Sequence, residues 1–107
     1  MLIPPEKVAS LNPAFSAILI GIANKLSFDL FITEAVPAHK EGSHVENSAH
    51  FKGLAVDLRV GNGWERYSII KAALEAGIKR IGVYDRHVHL DADPALPQPV
   101  IWAGTSK

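Results

Sequence analysis

At 107 residues, with 48% hydrophobic and 21% charged residues, the chain has the length and composition of one globular domain with a modest core. Its 11 basic and 11 acidic residues balance, which argues against nucleic acid or a membrane as a partner. The sequence has no cysteine, so disulfides and thiolate metal sites are excluded and a transition metal would need imidazole and carboxylate ligands. We expect a monomer.

The first third of the chain predicts two helices and a strand. Residues 4–11 predict a short helix, because proline is tolerated in a first helical turn. Residues 14–26 predict a second helix that is apolar nearly all round, so we expect it to be buried on most sides. Residues 28–35 alternate apolar and polar side chains, which predicts a strand.

The N-terminal sequence does not resemble a targeting segment. The longest apolar stretch, residues 14–23, is too short to cross a bilayer. Pro4 and Pro5 lie where a secretory signal would have its apolar core. We therefore expect no signal peptide and a protein that is cytoplasmic as synthesised.

The middle of the chain predicts a loop, a strand and a helix. Residues 36–49 lack periodicity, and polar loops of this length are often functional. Residues 54–60 predict the clearest strand, with a Leu/Val row on one face. Residues 64–77 predict an amphipathic helix that ends at Gly77. The side chains expected on its inner stripe are Trp64, Tyr67, Ile70 and Leu74.

The last third predicts strands over residues 80–85 and 87–93, followed by a proline-rich irregular segment over residues 94–104. From that segment we expect Val100, Ile101 and Trp102 to dock on the body of the domain. The whole pattern predicts an α+β fold, a small antiparallel sheet with helices packed on it.

Polar side chains occupy one face of two of the predicted strands. Asp57 lies opposite the Leu/Val row of its strand, and the last strand carries two histidines and two aspartates on one face. If the strands are neighbours with their polar faces on the same side, Asp57 and His89 converge. The four polar residues of the last strand are His87, His89, Asp91 and Asp93.

Two imidazoles and one carboxylate, with a fourth position left open, form the arrangement of a catalytic zinc site. His50 lies at the end of the polar loop and would join Asp57 and His89. Each of these residues also has an interpretation that requires no metal. His50 is then a polar loop residue, and Asp57 pairs with Arg59 or with an arginine across the sheet. His87 and His89 then form an exposed pair on an edge strand.

Residues 48–57 and 83–91 together resemble the zinc D-Ala-D-Ala carboxypeptidase family, in the group that includes lysostaphin-type peptidases and the hedgehog signalling domain. The family pattern is Ser-x-His-x-x-Gly-x-Ala-x-Asp, followed by a later strand with His-x-His. The resemblance spans residues 28–92. The matching residues are Ser48, His50, Gly53, Ala55 and Asp57, then His87 and His89 after Tyr84.

The resemblance implies a hedgehog-like and D-Ala-D-Ala-peptidase-like fold that binds Zn²⁺ through His50, Asp57 and His89. It implies hydrolysis of D-amino-acid-containing peptide bonds in bacterial peptidoglycan, by a carboxypeptidase or a cross-link endopeptidase. The expected partner is the peptidoglycan stem peptide, and the expected site of action is the cell wall or periplasm. Many members of the family are phage or bacterial cell-wall enzymes.

The catalytic residues follow the family pattern less closely. The family has an acid three residues before its last histidine, where this chain has Arg86. Asp85 is therefore the candidate general base, with a turn-capping role as its alternative, and His87 is the candidate for stabilising the oxyanion or shuttling protons.

The substrate-binding residues also depart from the family. Members carry an arginine that grips the substrate carboxylate, and residues 33–40 contain none. Lys40 is the candidate replacement, and Ser48 and His44 are further candidate substrate contacts. The missing arginine leaves open a cross-link endopeptidase, or a non-catalytic zinc-stabilised module such as a phage virion component.

Overall fold

Strands form one six-stranded sheet in the computed structural model, which describes residues 1–35 and 53–106. Their order across the sheet is β1-β2-β3-β5-β4-β6. In chain order the strands are β1 Leu2–Ile3, β2 Leu30–Glu34, β3 Ala55–Arg59, β4 Arg80–Val83, β5 His87–Asp91 and β6 Val100–Ala103.

Three helical segments accompany the sheet in the described residues: a 3₁₀ helix, Pro5–Ser10, and the α-helices α1, Pro13–Lys25, and α2, Gly63–Glu75. The side chain of Asn12 accepts hydrogen bonds from the first turn of α1, and Asn62 caps α2 in the same way. None of these helices is both long enough and apolar enough to span a membrane.

The sheet is mixed, so the prediction of an antiparallel sheet is correct for its centre and wrong for its edges. β2, β3, β5 and β4 pair antiparallel, whereas β1 runs parallel to β2 and β6 runs parallel to β4. The edge strands are short, and β6 lies within residues 94–104, so the prediction of an irregular segment is wrong there. A short edge strand carries too little alternation to predict its partner or its direction.

The core lies between the apolar face of the sheet and the two α-helices. The predicted Leu/Val row of β3 is confirmed, because Val56 and Leu58 are fully buried, as are Val88 and Leu90 of β5. Helix α1 buries one face only, with Ile20 45% exposed, so the expectation of burial on most sides is wrong.

The predicted inner stripe of α2 is wrong for three of its four residues, since only Ile70 packs against the core. Trp64, Tyr67 and Leu74 are 59%, 66% and 52% exposed, and the helix is buried through Ile69, Ala72 and Ala73 instead. Both sets of residues have helical spacing, so hydrophobicity alone favoured the larger side chains. The face with Ala72 and Ala73 is the buried one, because small side chains let the helix approach its neighbours closely.

A candidate metal centre on the polar face of the sheet

Asp57 and His89 face each other across the centre of the sheet. β3 and β5 are adjacent, and their register places Asp57 directly opposite His89. Directly opposite residues of an antiparallel pair project to the same face, so the predicted convergence of these two side chains is confirmed. β5 lies between β3 and β4, so the alternative in which His87 and His89 lie on an edge strand is wrong.

His89 is held between two carboxylates. Its Nδ1 lies 3.0 Å from Oδ1 of Asp57, and its Nε2 lies 2.7 Å from Oδ2 of Asp91. The three side chains are largely shielded from water, with exposed fractions of 14% for His89, 18% for Asp57 and 1% for Asp91. Both ring nitrogens therefore face an anionic oxygen at hydrogen-bonding distance.

This arrangement requires positive charge at His89. Burial by itself lowers the pKa of His89, but the hydrogen bonds and negative charges of Asp57 and Asp91 outweigh burial and raise the pKa to about 9. Without metal, the imidazolium donates a hydrogen bond to each carboxylate. A cation bound by Nδ1 of His89 and Oδ1 of Asp57 would replace the hydrogen bond between these two atoms, and Nδ1 would then carry no proton.

The donor set of the described residues fits part of a zinc site. An imidazole nitrogen and a carboxylate oxygen are ligands that Zn²⁺ accepts, and here they approach within 3.0 Å. Within residues 1–35 and 53–106, no group of three or more His, Cys, Asp or Glu side chains is arranged to hold a metal ion. The predicted third ligand, His50, lies outside the described residues, as do Lys40, His44 and Ser48.

His87 reaches the same carboxylate from a neighbouring position on β5. Its Nε2 lies 4.0 Å from Oδ2 of Asp57, and its Nδ1 lies 2.8 Å from Oγ of Ser106. The ring stacks on Tyr84 with centroids 4.3 Å apart. These contacts fix the orientation of His87 beside the Asp57–His89 pair.

Asp85 lies in the turn between β4 and β5 and binds the C-terminal segment. Its carboxylate accepts a hydrogen bond from the backbone N–H of Ser106 at 2.5 Å, and hydrogen bonds from Ser106 are the main reason that the pKa of Asp85 is lowered. The turn is also held by Arg66, which donates to the Asp85 carbonyl at 2.7 Å. These contacts match the turn-stabilising role, and the role of general base stays a prediction.

Arg59 does not supply the partner that the metal-free interpretation gave to Asp57. Its guanidinium lies over the ring of Phe31, 4.2 Å from the centroid, on the neighbouring strand β2. Asp57 instead contacts the two histidines of β5.

The backbone conformation explains why residue 53 of the motif is a glycine. Its φ of +71° lies in the left-handed region, and an added Cβ would lie 3.0 Å from the backbone nitrogen of Asn12. The carbonyl of Gly53 accepts a hydrogen bond from that same nitrogen at 2.9 Å. Gly53 therefore joins the entry of β3 to the start of α1.

An aromatic cluster that sequence reasoning missed lies beside His89. Trp102 of β6 donates from Nε1 to the hydroxyl of Tyr84 at 2.9 Å, and its ring centroid lies 5.4 Å from that of His89. Gly82 of β4 makes room for both rings, because a Cβ there would lie 2.8 Å from each. An isolated glycine inside a predicted strand was the available signal for such a close approach.

Glu34 and Arg80 were also missed. The register places Glu34 beside Asp57 on β2 and Arg80 beside Asp91 on β4. Arg80 donates from Nε to Oδ1 of Asp91 at 2.7 Å, which extends the chain of contacts from Asp57 through His89 and Asp91. Nothing local in the sequence around residue 80 predicts that contact.

No model of a known protein family matches the chain, and no curated protein matches its sequence.

Proposed function

We propose that the chain is a zinc peptidase that hydrolyses D-amino-acid-containing peptide bonds of bacterial peptidoglycan. One observation carries the proposal: Oδ1 of Asp57 and Nδ1 of His89 lie 3.0 Å apart on the polar face of the two central strands. These residues are the carboxylate and the last histidine of the motif that resembles the zinc D-Ala-D-Ala carboxypeptidase family. The fold that the family implies, hedgehog-like and D-Ala-D-Ala-peptidase-like, belongs to the same proposal.

In this proposal His50, Asp57 and His89 hold the zinc ion. A zinc ion bound there would act as a Lewis acid toward the scissile carbonyl and would lower the pKa of a water molecule toward neutrality. The shielding of Asp57 and His89 keeps their interaction with a cation strong, because bulk water does not screen it.

We propose that His87 stabilises the oxyanion that develops on the substrate or shuttles protons. Its ring is fixed by Ser106 and Tyr84, and its Nε2 is 4.0 Å from the Asp57 carboxylate. Preorganised hydrogen-bond donors of this kind stabilise an oxyanion without reorganising. Asp85 is the proposed proton acceptor, and Ser48, Lys40 and His44 are the proposed contacts to the stem peptide.

The decisive experiment is mass spectrometry of purified peptidoglycan fragments after incubation with the protein, with chelator and with zinc restored. We expect a zinc-dependent loss of terminal alanine or the opening of a cross-link, and the mass change names the bond. An unchanged spectrum from several wall types, with zinc bound in stoichiometric amount, would contradict the peptidase.

Asp85→Ala tests the proposed base, with Asp29→Ala as the matched control because Asp29 is an exposed aspartate in the connection before β2. We expect Asp85→Ala to retain zinc and to lose hydrolysis by about 10²–10⁴-fold, the usual contribution of a general base. We expect Asp29→Ala to behave as the unmodified protein. Normal hydrolysis by Asp85→Ala would assign the base to another residue and leave Asp85 with its turn contacts.

A second candidate function is a non-catalytic, zinc-stabilised binding or structural module, such as a phage virion component. The observation that favours it is the engagement of Asp85 by Ser106, which lowers the pKa of the carboxylate and opposes proton uptake. This candidate predicts that zinc raises the melting temperature while no peptidoglycan fragment is consumed. In either case the protein meets its target in the cell wall or periplasm by phage delivery or release.

A further inference from the structure

Asp91 is a buried carboxylate for which the motif supplies no role. It lies at the end of β5, two residues beyond His89, and is 1% exposed. Both of its oxygens have partners: Oδ2 contacts Nε2 of His89 at 2.7 Å, and Oδ1 contacts Nε of Arg80 at 2.7 Å. A carboxylate buried this deeply is stable only when it is paired and hydrogen-bonded.

Arg80 prevents Asp91 from turning away. It stands opposite Asp91 in the register of β4 and β5. A second guanidinium nitrogen donates to the carbonyl of Pro97 at 2.6 Å, and the guanidinium carbon lies 5.0 Å from the ring centroid of Trp102. The side chain is only 13% exposed. Arg80 therefore has a single fixed geometry, and it orients the second oxygen of Asp91 toward His89.

The orientation of Asp91 decides which nitrogen of His89 keeps its proton when a cation binds. An unprotonated ring nitrogen and a carboxylate oxygen 2.7 Å apart would repel, so Nε2 keeps its proton and its N–H donates a hydrogen bond to Oδ2 of Asp91. The nitrogen left to bind a cation is Nδ1, which is the one beside Asp57. Metal-binding histidines commonly donate their other N–H to a carboxylate, which fixes the tautomer and the ring.

We infer that Asp91, held by Arg80, is a positioning residue that makes Nδ1 of His89 the zinc-binding atom. This inference rests on the proposed zinc site and adds the atom that binds the metal and the pair of residues that selects it. The hydrogen bonds from Arg80 to Asp91 and from His89 to Asp91 join two strands and are formed without metal. They therefore orient the ring of His89 before a metal ion binds.

The test is zinc affinity, measured by competition with a chromophoric chelator, in the unmodified protein and in Asp91→Asn. The amide introduced by this substitution has one acceptor oxygen for the two side-chain donors, His89 and Arg80, so it either faces the N–H of His89 with its own NH₂ or loses Arg80. We expect the dissociation constant for zinc to rise about 10–100-fold. Asp93→Asn is the control, because Asp93 is equally buried and its Oδ1 accepts from the backbone N–H of Ala95. The contact of Asp93 with Asp91 is made by its backbone N–H, which this substitution keeps.

A measurement on the unmodified protein removes any dependence on the folding of the variant. Long-range ¹⁵N–¹H correlation NMR of the zinc-loaded protein distinguishes the two nitrogens of His89, and we expect Nε2 to carry the proton and Nδ1 to bind zinc. Arg80→Lys keeps the charge and loses the paired contacts, so its zinc affinity should fall between those of the unmodified protein and Asp91→Asn.

The outcomes separate this inference from the proposed function. Zinc bound through Nε2 of His89, or an affinity of Asp91→Asn within about twofold of the unmodified protein, overturns the positioning role and leaves the zinc site standing. An unmodified protein that takes up no zinc overturns both.

Discussion

The two faces of the central strands are stabilised by different interactions. On the helix-covered face, Val56, Leu58 and Leu90 are fully buried among apolar neighbours. On the other face, Asp57 and His89 are nearly as shielded, but charged partners hold them. The apolar face depends on volume and tolerates exchange among similar side chains. The polar face depends on each partner, because removing one leaves a shielded charge without compensation.

The largest expected effect comes from removing the proposed zinc-binding histidine of the polar face. We expect His89→Ala to lose stoichiometric zinc and all zinc-dependent hydrolysis, because it removes a proposed ligand and leaves Asp57 and Asp91 without their shared partner. Metal analysis of the purified protein after dialysis checks this. Full zinc retention in His89→Ala would refute the ligand assignment.

The matched substitution on the opposite face is at the next residue of the same strand. Leu90→Ala should lower the free energy of unfolding by about 2–5 kcal/mol, the usual cost of a cavity at a fully buried leucine. The folded fraction should keep its zinc affinity, because Leu90 points away from Asp57 and His89. Denaturant unfolding and zinc titration separate the two effects, and a loss of zinc affinity in the folded variant would show that the two faces are not independent.

The polar face should make the stability of the metal-free protein depend on pH. The pKa of His89 is raised from 6.5 to about 9 in the folded state, so the imidazolium contributes its full stabilisation below pH 6.5. That contribution is lost as the pH rises through about 9, and it amounts to something on the order of 3 kcal/mol. Urea unfolding of the metal-free protein between these pH values measures it.

His89→Gln is the control for that pH dependence, because it keeps a polar side chain that does not titrate. We expect its stability to change much less over the same interval. An equal slope in the unmodified protein and in His89→Gln would assign the pH dependence to another group.

A smaller loss is expected where the aromatic cluster meets the sheet. Gly82→Ala places a Cβ 2.8 Å from the rings of Trp102 and Tyr84, so the rings must move. Overpacking of this kind costs about 1–3 kcal/mol. A shift in tryptophan fluorescence should accompany the lower midpoint of unfolding, and an unchanged spectrum and midpoint would mean that the rings adjust without cost.

The smallest effect is expected on the exposed side of α2. Tyr67→Ala should change the free energy of unfolding by no more than about 0.5 kcal/mol, because the side chain is 66% exposed. Ile69→Ala, two residues along and fully buried, should cost about 2–5 kcal/mol. If Tyr67→Ala lowered the melting temperature more than Ile69→Ala, the result would support the inner stripe predicted from the sequence instead.

The sequence by itself determined the central strands and their polar face. Alternation over residues 54–60 and 87–93 is a local property, so it correctly placed Asp57 and His89 on the faces where they meet. The α-helices were also predicted to within a few residues, since their signals are local hydrophobic spacing and, for α2, the glycine that follows it.

Tertiary structure decided everything that depends on residues distant in the chain. The parallel edges of the sheet, the contact of Arg80 with Asp91 across 11 residues and that of Asp85 with Ser106 across 21 have no local signature. The buried side of α2 was decided in the same way, because helical periodicity limits the candidate faces and only the fit against the neighbouring elements selects between them. Local spacing sets the direction of a side chain, but only packing brings it a partner.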